Sequence, residues 1–203
     1  MIEIIQAAGW PIWPIILCSI IAIGIIGERF YSLRQSVVAP RDLLPKVVQE
    51  QRQGGINNEM LVRLGHNSLL GQVLAAGLKN AKSSREIMRE SIEEAGRAAA
   101  HELERFLTTL GTIATMSPLL GLLGTIIGMI EIFGASTPTG ITDPAQLAHG
   151  ISIALYNAAF GIIVAVPSLV FYRHFRARAD SLVVEMELQA VKLVEIVHGE
   201  RTV

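Results

Sequence analysis

FLTTLGTIATMSPLLGLLGTIIGMIEIFGASTPTGITDPAQLAHGISIALYNAAFGIIVAVPSLV, residues 106–170, decides the fold. From Phe106 to Ile130 there are 25 residues without Asp, Glu, Lys, Arg or His. From Pro144 to Tyr172 there are 29 residues whose only ionisable groups are His149, Tyr156 and Tyr172. At about 1.5 Å per residue, each run is long enough to cross a hydrocarbon layer about 30 Å thick. A buried helix of a soluble protein is usually shorter and carries a polar face. The stretch reads as a membrane hairpin.

The charges outside the hairpin orient it. The chain has 203 residues, 51% hydrophobic and 17% charged. All 17 Lys and Arg fall into two blocks, one from Arg29 to Arg105 and one from Arg173 to Arg201. Basic residues close to membrane ends stay in the cytoplasm. A third apolar run, Ile4 to Gly27, precedes the first block and holds no charge. Its leading segment is acidic (Glu3) and its apolar core spans 24 residues, which fits an uncleaved span better than a signal peptide. Trp10 and Trp13 are expected at the outer boundary, and Pro11 and Pro14 in the first helical turn, where a missing N–H costs little. The reading is an all-α membrane protein: three transmembrane helices with long cytoplasmic helical extensions, N-terminus out and C-terminus in.

Five segments follow. Residues 1–34 form the first span, and 35–83 a cytoplasmic helical loop punctuated by turn clusters at 53–58 and 65–68. Residues 84–134 read as one long helix from Ser84 to about Phe133, opened by a capping box at Ser83-Ser84-Arg85-Glu86. Residues 135–143 form a short periplasmic loop, ending in Asp143 as N-cap. Residues 144–198 hold the third span and a tail with an apolar stripe at Leu182, Val183, Met186, Ala190, Leu193 and Val197. That stripe is expected to pack on the helix before Arg105 or on a neighbouring subunit. Cys18 reads as a small buried hydrophobe.

Small residues mark the faces that approach. Gly121, Gly124 and Gly128 lie at helical spacing with Thr125 beside them, and Gly150, Ala154, Ala158, Gly161 and Ala165 do the same in the third span. In lipid, such stripes let backbones come close. Pro118 and Pro167 each remove a backbone donor within a span. Asn157 needs partners, since a side-chain amide in hydrocarbon is costly. Thr125 lies about 9 Å along the axis from Glu131, which with His149 is expected at the outer mouth. Its hydroxyl either bonds back to its own helix or forms a polar step in an ion path. No Asp, Glu, Lys or Arg sits in mid-span, so any titrating group must come from another chain. Arg173, Arg176 and Arg178 are the inside anchors. No metal-binding spacing, intramembrane Ser/Lys pair, paired Asp or HExxH occurs, so neither an enzyme nor a cofactor is expected. The basic residues are interleaved with acids and do not suggest nucleic-acid binding.

Ser117–Met129, SPLLGLLGTIIGM, and Gly150–Leu155 with Ala159–Ser168 resemble the MotA/TolQ/ExbB ion-channel subunits, most nearly ExbB and TolQ. The resemblance implies a pentameric ring around single-span partners of ExbD, TolR or MotB type. The partner would supply an intramembrane aspartate, and proton flow would be converted to work through TonB-like or Tol proteins. Thr125 matches the first pore threonine of the family. Ile153 stands where a glutamate is usual, and Ala158 where a second threonine is, so Thr125, Asn157 and Ala158 are the expected ion path. The face of Pro118, Gly121, Gly124, Gly128, Ala154, Gly161 and Pro167 is expected to pack around it. The expected function is a proton-driven motor subunit that energises outer-membrane transport. The alternatives are a TolQ-like envelope motor, a motility motor or a non-conducting scaffold.

Overall fold

A computed structural model describes residues 2–55, 57–134 and 144–199. The described residues form nine helices and no strand: α1 (Ile2–Ala8), α2 (Ile12–Ser32), α3 (Gln35–Val38), α4 (Leu43–Gly54), α5 (Asn58–Asn67), α6 (Leu69–Lys79), α7 (Arg85–Glu104), α8 (Leu107–Gly134) and α9 (Pro144–Val197). Three are long and apolar enough to cross a membrane: α2, the helix ending at Gly134, and α9. The expected loop at 135–143 and the Asp143 cap lie outside the described residues.

Two compact units emerge, residues 1–28 with 106–174, and residues 29–105 with 175–203. In the first, α1, most of α2, α8 and the first part of α9 pack through small residues and aliphatics. The first apolar run is not a single helix. It breaks at Gly9, whose φ of +70° a glycine adopts without steric cost, and α2 restarts after Pro11 with Pro14 in its first turn. Trp10 and Trp13 remain 62% exposed, as interfacial aromatics would be.

In the second unit α5, α6 and α7 stack together. A Cβ on Gly77 would meet Ile92 Cδ1 at 2.8 Å, so glycine at 77 lets α6 approach α7 without moving Ile92. Asn80 Nδ2 donates to Ser91 Oγ at 2.8 Å across the same pair. Arg63 of α5 holds Glu50 of α4 through both carboxylate oxygens at 2.7 and 2.8 Å. The tail stripe behaves as expected: Leu182, Met186, Ala190 and Leu193 are buried, and Met186 and Ala190 share an apolar groove with Ile92 and Gly96 of α7. The tail is continuous with the third span in one helix of 54 residues.

Two expectations about the middle of the chain are corrected. Residues 84–134 are not one helix, because α7 stops at Glu104 and α8 starts at Leu107. Phe106 between them has φ of 61°, a left-handed conformation that costs a bulky residue about 1–2 kcal/mol. Arg29, only 4% exposed, donates from Nη1 to the Leu103 carbonyl at 3.2 Å and so satisfies the end of α7. Nor is there a capping box. The N-cap is Ser84, whose Oγ accepts from the Ile87 N–H at 3.4 Å, and Glu86 falls at the second position instead of the third.

Candidate functional site

The glycine face of α8 closes against α9 of the same chain. A Cβ on Gly121 would lie 2.8 Å from the Asn157 carbonyl oxygen and 3.2 Å from Ala158 Cα. One on Gly124 would overlap the Asn157 side chain, reaching Cγ at 2.6 Å. One on Gly128 would meet the Gly150 carbonyl at 2.5 Å and Ala154 N at 2.9 Å. Gly161 faces the Ser117 carbonyl in the same way. No side chain intervenes, so the two backbones sit in direct contact. This seam consumes Gly121, Gly124, Gly128, Ala154 and Gly161 in packing within one chain. Pro118 and Pro167 lie off it, exposed, and neither interrupts its helix. Beside them the buried hydroxyls of Ser117 and Ser168 donate back to the Ile113 and Val164 carbonyls at 2.8 and 2.7 Å.

The seam has two edges of different character. At about 100° per residue, Gly124 falls to one side of Gly121 and Thr125 to the other. The Gly124 side meets the Asn157 side chain, and here α1 ends. Asn157 is fully buried; its Nδ2 donates to the Ala8 carbonyl at 2.7 Å and to the Ile153 carbonyl at 2.8 Å. Both amide hydrogens are therefore spent, and Oδ1 accepts from no described residue. Ile153, also buried, reaches the Gly9 backbone. Asn157, expected to restore the polar step missing at Ala158, here faces α1, and its amide caps a carbonyl where α1 stops.

The opposite edge carries Thr125 and Ala158, both half-buried. Thr125 Oγ1 donates to the Leu122 carbonyl at 2.6 Å. With its hydrogen turned inward, the hydroxyl presents only lone pairs outward, which suits a water molecule or a cation. Glu131 and His149 are exposed toward the 134 and 144 ends of their helices. At the other end Arg173 is exposed, and Arg176, in the second unit, pairs with Glu104 at 3.0 Å and Asp180 at 3.6 Å, with Arg178 half-buried nearby in sequence. No cluster of His, Cys, Asp or Glu that could hold a metal occurs among the described residues.

The sequence that builds this seam has relatives. The model of the MotA/TolQ/ExbB proton channel family matches residues 65–188, which contain the whole seam. The chain belongs to that family. It is 28% identical over 188 residues to the biopolymer transport protein exbB1 of Vibrio cholerae, covering 90% of this chain and 82% of that one. It is 28% identical over 127 residues to ExbB of Aquifex aeolicus (63% and 80% covered). It is 29% identical over 143 residues to the Tol-Pal system protein TolQ of Pseudomonas aeruginosa (65% and 59% covered). The protein is therefore a multi-pass bacterial membrane protein of a channel and transport-energising family rather than of an enzyme family.

Sequence reasoning missed Ala8 and Gly9, whose partners lie some 145 residues away and carry no motif. It took Arg29 for an orientation charge alone. A signal did exist for Ser117 and Ser168, since each adjoins a proline inside a span.

Proposed function

We propose that this chain is the ring-forming subunit of an ion-driven motor, with the Thr125–Ala158 edge of the α8/α9 seam turned toward the ion path. The observation that carries the reading is the asymmetry of that seam. One edge is sealed by α1 through Asn157, and the other exposes an acceptor hydroxyl with no titratable group beside it. A proton crossing there needs a carrier from elsewhere, which fits a single-span, ExbD-like partner bearing an intramembrane aspartate at the axis of a pentameric ring. The asymmetric placement of Lys and Arg supports an N-terminus outside and a C-terminus in the cytoplasm of a Gram-negative inner membrane. Similarity to ExbB proteins favours delivery of the work to outer-membrane transport through a TonB-like protein. The likeness to TolQ favours a second reading, an envelope motor with a TolR-like partner, equally well.

The test is proton uptake by proteoliposomes that contain the chain together with the single-span membrane protein that co-purifies with it. Thr125→Val keeps the shape and removes the acceptor. Uptake should fall at least tenfold while the complex stays assembled. Wild-type uptake in the variant, or no co-purifying protein with an intramembrane acid, would leave the chain a scaffold.

A further inference from the structure

The side of α8 away from α1 carries further hydroxyls nearer residue 106. The Tyr172 ring of α9 lies flat on Gly111. A Cβ there would meet ring carbons Cε2, Cδ2 and Cζ at 3.2, 3.3 and 3.3 Å, so the ring sits closer than it could beside most side chains without giving by a few tenths of an ångström. Thr108 and Thr115 stand three residues before and four after Gly111, and therefore flank it on the same face of the helix. Both are exposed. Thr115 Oγ1 donates to the Gly111 and Thr112 carbonyls at 3.2 and 2.9 Å, and the Thr108 carbonyl already receives Thr112 Oγ1 at 2.9 Å. Thr115, like Thr125, thus offers lone pairs outward. The half-buried Tyr172 phenol makes no hydrogen bond with any described residue and can both donate and accept. Round the helix Gly111, under the ring, lies about 40° from Thr125, and Thr115 and Thr108 lie about 80° and about 100° from it, all turned away from the edge that α1 seals.

We propose that Thr108, Thr115 and Tyr172 form a hydroxyl-lined exit for the water that carries protons past Thr125. This rests on the ion-path reading above and extends it. Water donates to Thr115 Oγ1 and exchanges hydrogen bonds with Tyr172 Oη. When a proton arrives on the phenol oxygen from one water, the phenol's own proton leaves to the next, so the side chain ends as it began. No charged side chain is needed at this point, and no Asp, Glu, Lys, Arg or His lies within residues 106–130.

Tyr172→Phe and Thr115→Val, each nearly isosteric, test it in the same proteoliposomes with a pH-sensitive dye inside. Each should slow proton uptake about fivefold, the size of one lost hydrogen bond, with unchanged melting temperature and partner content. The two together should slow it further. If both variants transport like wild type while Thr125→Val is dead, the exit is refuted and the ion-path reading stands. If Thr125→Val also transports normally, the ion-path reading falls with it. A slowing that tracks a lower melting temperature would make Tyr172 an interfacial anchor only, and would equally overturn the proposal.

Discussion

The Arg29 guanidinium donates to the carbonyl of Leu103, joining the end of α2 to the last turn of α7 across 74 residues of sequence. The donor is charged, almost fully buried, and set at the negative end of a helix. Truncating it would remove the donor from that carbonyl and empty buried volume at the end of α7. Arg29→Ala should therefore destabilise residues 29–105 by about 2–4 kcal/mol. Arg29→Lys should recover only part of this, because an ammonium lacks the planar fork. Limited proteolysis near residue 105, with thermal unfolding in detergent, reads the effect. Equal resistance in Arg29→Ala would mean that the contact is incidental.

Glycines on and off the seam should respond oppositely to alanine. A methyl at Gly124 would overlap the Asn157 side chain, which both the Ala8 and Ile153 carbonyls hold in place, so it cannot give way. Gly124→Ala should cost about 1–3 kcal/mol as α8 and α9 are pushed apart. At Gly96 a Cβ meets nothing within 4 Å, and Gly96→Ala should stabilise α7 by about 0.5–1 kcal/mol through backbone entropy alone. Melting temperatures of the two variants should move in opposite directions.

The three spans were legible because their long central runs carry no charge, and the seam because glycine and alanine recur at helical spacing. What the sequence could not reveal has particular causes. A Gly or Asn at 106 would have signalled a stop, but a phenylalanine held at φ of 61° gives no local sign. The capping register slipped by one residue because Ser83 and Ser84 are equivalent on paper, and the first turn of α7 selects only one. Asn157 was read as an ion-path residue from its neighbour Ala158, whereas one residue along a helix is about 100° round it, and that rotation places the amide on the sealed edge.

The cap of α7 gives a pH-dependent prediction. Its own backbone N–H, and then the Ser84 hydroxyl, hold the Glu86 carboxyl below the usual glutamate range, with Arg85 assisting. A carboxylate favoured in the fold contributes stability above its unfolded pKa and loses it as pH falls through the lower folded value. Ser84→Ala removes one of these donors, so the Glu86 pKa should rise toward the ordinary value, and helix stability should fall by about 1 kcal/mol for the lost cap. Carboxyl carbon shifts of Glu86 across the titration would check this. An unmoved midpoint would assign the depression to the backbone alone.

Asn157 holds α1 by a single amide. Ala8 is the last residue of its helix, and it is buried at a junction where Asn157 also lies against Gly124 and Ile153 against the positive-φ Gly9. Asn157→Leu conserves volume but removes that donor. It also removes the unpartnered Oδ1, whose burial is itself unfavourable, so the two effects partly offset in global stability. The local effect does not cancel. Amide exchange at Trp10, Ile12 and Trp13 should quicken in Asn157→Leu as α1 detaches, whereas residues 85–104, in the other unit, should exchange as before. If the exchange at Trp10–Trp13 is unchanged, apolar contacts of Ala8 and Ile12 alone dock α1, and the amide is not what seals that edge.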